Sequence, residues 1–257
     1  MADETVLRDD TDQPAAGYGG SRLSFRGPPH PPGGRHVVFL GGCATHGGPL
    51  EAPFPALLEA ELGEACVNFG IAQASAEAFL LDPVVERACR EALVTVGEGM
   101  GAANLSNRLY TVHPRRNDRF LRPSAALRAI YPDVDFAEIC FTRHLLLALH
   151  EADADRFDVV REELRIAWAA RMGALLERTG PQVLLLWPQA REAGEGPLGA
   201  DPVFVTRDMV EELRPLVGGI VEVPHPGRDA GAHRSIAAAL SGPLRALLGG
   251  EGLRASA

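Results

Sequence analysis

A cysteine, a glycine and an asparagine follow three successive apolar segments of the chain. Cys43 lies in a glycine-rich turn after the first segment, Gly70 ends the second, and Asn104 follows the third. If these segments are parallel strands of one sheet, their carboxyl ends meet in a crevice of the kind where α/β proteins bind ligands. Acyl transfer needs a nucleophile and nearby donors for an oxyanion. The spacing therefore predicts a catalytic site at one end of a sheet.

Cys43 is the candidate nucleophile. The preceding Gly41 and Gly42 tolerate the dihedral angles of a tight turn from strand to helix. A thiol near a helix N-terminus is also more acidic than a free thiol. The alternative is a small buried cysteine inside a glycine-rich turn, because free cysteines are often buried. Thr45 and His46 are further polar candidates in this loop, and the Thr45 hydroxyl suits a turn-stabilising role.

Two histidines towards the C-terminus are candidates for the general base. His225 follows Glu222 in a loop that contains prolines, and His233 follows Asp229 at the start of the last predicted helix. An acidic side chain can orient a histidine and stabilise its imidazolium. Asp229 also suits a helix N-cap, and His225 also suits an exposed loop. Both histidines therefore stay open, although a helix start would fix His233 more firmly than a proline loop would fix His225.

An arginine-rich segment follows Asn104 in a chain that is acidic elsewhere. Guanidinium groups bind sulfate, phosphate or carboxylate through paired hydrogen bonds. The segment therefore predicts anion recognition, with a structural role or a subunit interface as the alternatives. The candidate substrate-binding residues are Arg108, His113, Arg115, Arg116, Arg119 and Arg143.

The bulk composition narrows the class of protein. A formal net charge of −9 disfavours nucleic acid and anionic membranes as partners. The chain contains no lysine, which excludes a lysine Schiff base and a P-loop lysine. The cysteines form no CxxC pair and no zinc pattern, so we expect reduced thiols, no metal site and a cytoplasmic location. No cofactor, signal peptide or membrane span is expected either.

Apolar runs alternate with helical patterns along the chain. Predicted strands cover residues 36–40, 65–68, 92–96, 182–187 and 220–223. This alternation predicts a three-layer α/β/α sandwich around a mostly parallel sheet of about five strands. Residues 1–34 predict a partly disordered N-terminal arm. Residues 35–250 predict a single α/β domain with an irregular arginine-rich insertion at about 105–141, which contains one short helix near 123–130.

The glycine-rich turn resembles the first conserved block of the SGNH (GDSL-type) hydrolase superfamily. That superfamily has a flavodoxin-like sheet and carries G-D-S-x-T-x-G after its first strand. Gly41, Thr45 and Gly47 match this block. Gly42 stands in place of its aspartate, and Cys43 stands in place of its nucleophilic serine. A thiol in this position could form a thioester if a base is placed for it.

The remaining blocks of the superfamily resemble segments of this chain in the same order. Gly70 matches the glycine of the second block, and Gly101 with Asn104 matches the G-x-x-N of the third. Residues 222–225 imitate the final D-x-x-H with glutamate for aspartate. The resemblance implies an oxyanion hole formed by the N–H groups of Cys43 and Gly70 and by the Asn104 amide. The candidate catalytic set is Cys43, Gly70, Asn104, His233, Asp229 and His225.

A second resemblance covers nearly the whole chain. The motif HPRRNDRF at residues 113–120 resembles an uncharacterised bacterial domain family of unknown function, which supplies no activity. The predicted function is an SGNH-like hydrolase or acyltransferase for a small anionic ester or thioester. The alternatives are a catalytically degenerate SGNH-fold domain that binds a phosphorylated or sulfated ligand, and a sulfuryl or phosphoryl transferase. The expected partner is a small anionic molecule or a glycan, and a homo-oligomer stays open.

Overall fold

A computed structural model describes residues 15–26, 34–180, 182–189, 196–199, 202–224 and 229–250. The strands are β1 (Ala15–Ala16), β2 (Phe25–Arg26), β3 (His36–Gly41), β4 (Ala65–Gly70), β5 (Val94–Glu98), β6 (Tyr110–His113), β7 (Arg116–Pro123), β8 (Val183–Gln189) and β9 (Gly219–Pro224). The helices are α1 (Cys43–His46), α2 (Phe54–Leu62), α3 (Ala76–Phe79), α4 (Pro83–Glu91), α5 (Ala125–Ile130), α6 (Thr142–Ala152), α7 (Phe157–Arg178), α8 (Arg207–Glu211) and α9 (Ala230–Gly250). Within these ranges, none of the helices is long and apolar enough to cross a bilayer.

The central sheet of the described residues is parallel and has the strand order β4-β3-β5-β8-β9. This is the flavodoxin-like order, in which the chain winds first to one side of β3 and then to the other. The loops that leave β3 and β5 therefore diverge and open a crevice between their carboxyl ends. Ligands bind at this switch point in α/β proteins.

Helices cover both faces of the sheet. Val38 and Leu40 of β3 share one buried cluster with residues of α4 and α7. Val37 and Phe39 point to the other face and share a second cluster with residues of α2 and α9. A strand buried on both faces favours apolar side chains, which explains the apolar run at residues 37–40, while the buried His36 before it has backbone carbonyl partners for both ring nitrogens. The predicted α/β/α class is confirmed.

The insertion at residues 105–141 has more regular structure than the sequence predicted. β6 and β7 form an antiparallel ribbon with register irregularities, and the expected short helix follows as α5. The ribbon was missed because β7 is rich in charged side chains, whereas strands usually favour β-branched and aromatic residues. The segment from 105 to 141 is therefore an irregular insertion only in part.

The first described segment, residues 15–26, belongs to the packed domain. Phe25 is buried, and its ring centroid lies 4.6 Å from that of Phe69 on β4. The ring of Tyr18 meets Phe69 edge-on at 5.2 Å. The sequence predicted a partly disordered arm over residues 1–34, but this part of it forms two short paired strands. The rest of that region, residues 1–14 and 27–33, lies outside the described ranges.

We expect Phe25→Ala to lower the free energy of unfolding by about 3–5 kcal/mol, because it removes a fully packed ring and leaves a cavity. Urea denaturation followed by circular dichroism measures the change. Leu81→Ala is the matched control, because Leu81 is 86% exposed and its truncation should change stability by less than about 0.5 kcal/mol. An equally small effect of Phe25→Ala would show that residues 15–26 do not contribute to the core.

Candidate functional site

Cys43 is the first residue of α1 and lies at the carboxyl end of β3, beside the switch point. The residue is exposed, so the structure does not support the alternative of a thiol buried in its turn. The backbone N–H of Gln73 donates to Cys43 Sγ at 3.2 Å. Gln73 has a φ of 59°, in the left-handed region that residues with a side chain seldom adopt. The structure therefore combines an accessible sulfur with a backbone donor directed at it.

Glu98, the last residue of β5, holds the turn that carries Cys43. Its Oε2 accepts the N–H of Gly42 at 3.0 Å and the N–H of Thr45 at 2.9 Å. The same oxygen accepts the Thr45 hydroxyl at 2.7 Å, so Thr45 has the predicted turn-stabilising role. Gly42 has no side chain that could cap α1, and Glu98 supplies this acceptor from a neighbouring strand.

The pKa of Glu98 reflects two opposing effects. Burial raises the pKa of this carboxyl above its usual range, because a charge is poorly solvated in the protein interior. The hydroxyl and N–H of Thr45 and the N–H groups of Gly42 and Ala44 act in the opposite direction, because they stabilise the carboxylate. Burial is the larger effect, and the pKa is raised overall.

Two glycines of the predicted motif are required by packing. A Cβ on Gly41 would lie 2.7 Å from the Cβ of Glu98, so only glycine leaves room for this side chain beneath the turn. A Cβ on Gly70 would lie 2.6 Å from the Cα of His46, so glycine allows α1 to rest on the end of β4. These residues shape the turn whether or not they take part in chemistry.

Two of the three predicted oxyanion donors, the Gly70 N–H and the Asn104 amide, are already engaged. The N–H of Gly70 donates to Asn68 Oδ1 at 2.7 Å. The Asn104 amide donates to the carbonyl oxygen of Gln73 at 2.9 Å, and its Oδ1 accepts the hydroxyl of Thr142. Asn104 thus holds the residue whose N–H reaches Cys43. The structure brings Cys43, Gln73 and Asn104 together, whereas it directs the Gly70 N–H to Asn68.

His233 is buried at the start of α9, and its Nδ1 accepts the N–H of Phe54 at 3.0 Å. In the neutral ring this bond leaves the proton on Nε2. Burial lowers the pKa of His233, and the positive charge of Arg26 lowers it further. Asp229 Oδ1 accepts two backbone N–H groups in the first turn of α9 at 2.8 and 3.0 Å. Asp229 therefore has the N-cap role that the sequence left open.

His225, the other candidate base, lies outside the described residues, directly after β9. The side chain of Glu222, which imitates the acid of the D-x-x-H block, is paired with Arg207. Its two oxygens accept hydrogen bonds from the two terminal guanidinium nitrogens of Arg207, at 2.7 and 2.8 Å. The Glu222 carboxylate therefore already has a cationic partner on α8.

Two of the predicted substrate-binding residues have structural contacts. Arg108 donates from Nε to Glu163 Oε2 on α7 at 2.7 Å, which ties the insertion to this helix. His113 Nδ1 accepts the N–H groups of Arg115 and Arg116, both at 3.2 Å, and so stabilises the turn between β6 and β7. The side chains of Arg115 and Arg116 are exposed at this turn. These contacts favour the structural alternative for Arg108 and His113.

Arg119 and Arg143 are the predicted substrate-binding residues that lie beside the start of α6. The guanidinium carbon of Arg119 stacks 4.1 Å from the ring centroid of Phe141. Its Nε is buried and has no hydrogen-bond partner within the part of the chain that the structure describes. Arg143 follows Thr142, and its side chain is exposed. Arg119 therefore keeps a donor that is not used by the fold.

A chain of hydrogen bonds joins the ribbon to the Cys43 loop. The hydroxyl that Thr142 donates to Asn104 also lies 3.3 Å from the carbonyl oxygen of Asp118 on β7. One residue earlier, Asn117 Oδ1 accepts the N–H and the hydroxyl of Ser75 at 3.1 and 2.9 Å. The backbone of the arginine-rich segment is thereby anchored next to the loop that contacts the thiol.

Sequence reasoning missed Glu98 and Gln73. The sequence does contain a signal for Glu98. An acidic residue at the end of a buried parallel strand needs hydrogen-bond donors, and β5 ends at the same end of the sheet as the strand before Cys43. Gln73 had no such signal, because it acts through its backbone N–H and its side-chain type does not favour a positive φ. Its role depends entirely on how the loop after β4 is folded.

The candidate site lies at the carboxyl end of the central sheet, where Cys43 is exposed. A groove of about 600 Å³ lies elsewhere, between α5 and α7, and is lined by residues that include Leu109, Val159 and Ile166. Within the described ranges, no three side chains of histidine, cysteine, aspartate or glutamate converge to hold a metal ion.

Comparisons with known proteins give one family and several weak structural likenesses. The profile of a family described as "Domain of unknown function (DUF6473)" matches residues 1–250. No curated protein matches the sequence. Among solved structures, a mutant acetyl-xylooligosaccharide esterase from Geobacillus stearothermophilus is similar with a TM-score of 0.46 and 13% identity, covering 84% of this chain and 94% of that chain. A family two carbohydrate esterase from Clostridium thermocellum, solved with cellohexaose, has a TM-score of 0.41 and 11% identity, covering 87% and 66%. Likenesses this weak carry no argument about activity.

We expect native-state alkylation to separate the cysteines into two classes. Burial, together with smaller contributions from nearby carboxylates, raises the pKa of both Cys66 and Cys89 to about 12, so both are shielded neutral thiols at about pH 8. Cys43 and Cys140 are exposed. Iodoacetamide should therefore modify Cys43 and Cys140 but spare Cys66 and Cys89, as read by peptide mass spectrometry. Labelling in urea, which should modify all of them, is the control, and rapid native labelling of Cys66 would contradict the packing of β4.

Proposed function

We propose that this chain, which belongs to the DUF6473 family of unknown function, is a thiol-dependent hydrolase or acyltransferase of small esters or thioesters. Cys43 is the nucleophile in this proposal. The observation that carries it is the exposed sulfur at the switch point of a parallel α/β sheet, with the Gln73 N–H directed at it from 3.2 Å. A nucleophile at this position matches the place where such sheets bind ligands.

The proposed reaction begins when the base takes the proton of the Cys43 thiol, and the thiolate then attacks the carbonyl carbon of the ester. A carbon–sulfur bond forms, and the carbonyl oxygen becomes an oxyanion. The Gln73 N–H, which donates to the sulfur before the attack, is the proposed donor to this oxyanion, because the Gly70 N–H serves Asn68. When the intermediate collapses, the carbon–oxygen bond breaks and the leaving alkoxide takes a proton from the base. Water, or an acceptor alcohol, then attacks the thioester carbonyl while the base takes its proton. The carbon–sulfur bond breaks, the acid or the new ester leaves, and the thiolate takes that proton to regenerate the thiol.

The base in this proposal is a histidine from the C-terminal part of the chain. His233 has Nδ1 occupied by the Phe54 N–H, so its neutral ring offers no second lone pair to the thiol. This bond favours His225 as the base; His225 is outside the described residues, but β9, which precedes it in the sequence, ends at the same end of the sheet as Cys43. His233 stays the alternative, since a change of ring orientation would free Nδ1.

The proposed substrate is small and anionic. Arg119 supports this choice, because its stacked guanidinium keeps a buried donor that the described residues do not use. Its neighbour Asp118 is joined to the Cys43 loop through Thr142 and Asn104. A carboxylate or phosphate of the substrate that is bound by Arg119 would thus be held on β7, the strand that is joined to the Cys43 loop. Arg143 would add a second, solvent-exposed charge.

Acyl transfer from p-nitrophenyl acetate and from p-nitrophenyl hydrogen succinate tests the nucleophile and the charge preference together. We expect a burst of nitrophenol, an acyl adduct on Cys43 in mass spectrometry, and a higher kcat/KM for the anionic ester. Cys43→Ser should reduce kcat/KM at least about 100-fold. Cys140→Ser is the matched control, because it removes the other exposed thiol and should leave the rate unchanged. Equal turnover in the Cys43 and Cys140 variants would refute the proposal.

The two histidines are separated by their asparagine variants. His225→Asn should lower kcat about 100-fold or more and abolish the acidic limb of the pH–rate profile. His233→Asn can still accept the Phe54 N–H through its amide oxygen, so we expect a nearly unchanged profile. The reverse pattern would assign the base to His233, and no effect from either variant would leave the thiol without a histidine base.

An anion-binding domain without turnover is the second candidate. It is favoured by the engaged state of the Gly70 N–H, the Asn104 amide and His233 Nδ1, which are groups that catalysis would need free. In this case phosphate, sulfate or succinate should raise the melting temperature by several degrees while both esters stay intact. Arg119→Ala should abolish that shift, and Arg122→Ala, which removes an exposed arginine from the same strand, should retain it. A shift that survives Arg119→Ala would count against binding by this arginine.

A further inference from the structure

Glu98 connects the interior of the sheet to the turn that carries the thiol. The residue is 7% exposed, and its described hydrogen bonds come from residues 42 and 45, on either side of Cys43. Gly42, the N-cap residue of α1, makes no side-chain cap of its own. The carboxylate therefore lies within one helical turn of the nucleophile in the proposed function, beneath the backbone that presents it.

We propose that Glu98 is the positioning residue of the Cys43 site, fixing the turn as a remote cap while its negative charge restrains ionisation of the thiol. The inference rests on the proposed function only where it ascribes a catalytic use to Cys43. Its two parts, the cap and the charge, are properties of the turn itself and are tested without any substrate.

The positioning part follows from the geometry of the turn. Three donors converge on one carboxylate oxygen, and each bond is between 2.7 and 3.0 Å long. Gly41 leaves the space for this arrangement, because a Cβ there would collide with the Glu98 side chain. Because the backbone of Glu98 is held in the sheet, its side chain fixes the position of the turn more firmly than a side chain of the turn itself would.

The charge part follows from Coulomb's law in a poorly solvated setting. A carboxylate close to a thiol disfavours the thiolate, because two negative charges repel each other. The groups that face Glu98 are the Thr45 hydroxyl and the N–H groups of the turn, and Met100 adds an apolar neighbour to Gly42. The Gln73 N–H acts on the sulfur in the opposite sense, since it stabilises a thiolate. The reactivity of Cys43 is the balance of these two influences.

Glu98→Gln separates charge from shape. The amide keeps an acceptor oxygen for the turn and removes the negative charge, and it relieves the burial penalty that raises the pKa of the native carboxyl. The variant should therefore fold with equal or greater thermal stability at neutral pH. We expect the pH profile of Cys43 alkylation by iodoacetamide to move to lower pH, so that the rate near pH 7 rises about tenfold. Cys140 in the same sample should react at its native rate.

Glu163→Gln is the matched control, because it neutralises another poorly exposed carboxylate that serves Arg108 instead of the Cys43 turn. It should leave the Cys43 profile where it is. Superimposed Cys43 profiles for the native protein and Glu98→Gln would overturn the charge part, as would an equal change at Cys140. Loss of ester turnover in Cys43→Ser is a separate result, so failure of the proposed function and failure of this inference are distinguishable.

A measurement on the native chain covers the case in which Glu98→Gln does not fold. The amide proton signals of Gly42 and Thr45 should titrate together in nuclear magnetic resonance spectra, with a midpoint above the usual range of a glutamate. Amide signals that stay constant through that range would overturn the assignment of Glu98 as the cap of this turn.

Discussion

The buried carboxylate of Glu98 joins the central sheet to the turn that carries the exposed Cys43. It ends β5, one of the two strands that border the switch point, and it accepts hydrogen bonds from the turn that leaves the other strand, β3. Burying a carboxylate is costly unless donors surround it. The turn supplies those donors, and in return it gains an acceptor for N–H groups at the start of α1 that have no partner within the helix. Sheet and turn are therefore interdependent, and the position of Cys43 follows from both.

A second set of contacts reaches the sulfur from the loop after β4. The loop after β4 presents the Gln73 N–H, and Asn104 holds the carbonyl of the same residue. Thr142 then connects Asn104 to the ribbon of the insertion. The insertion thus supports the site through backbone and amide contacts. Arg119, which belongs to the same insertion, has a buried Nε without a hydrogen-bond partner among the described residues.

The resemblance to SGNH hydrolases holds for the positions of the motif residues but not for their hydrogen-bond contacts. The order of the strands and the location of Cys43, Gly70 and Asn104 at their carboxyl ends agree with it. The contacts of these residues do not follow the implied roles, because the Gly70 N–H serves Asn68 and the Asn104 amide serves Gln73. Asp229 caps α9, and Glu222 pairs with Arg207. The Gln73 N–H and the Glu98 carboxylate, which contact Cys43 and its turn, lie outside the motif, and the assignment of a base to His225 or His233 stays a prediction.

The sequence by itself determined the α/β/α class, the approximate strands of the central sheet and the placement of Cys43 after the first of them. These features are local or periodic: an apolar run buried on both faces, a glycine-rich turn, and an amphipathic stripe each leave a signal in consecutive residues. Only the tertiary structure decided that Glu98 caps the Cys43 turn, that Gln73 faces the sulfur, and that His113 and Arg108 serve the ribbon and α7. Those contacts join residues that are distant in the chain, and the energy of a hydrogen bond depends on distance and direction, which no pattern of residue types encodes.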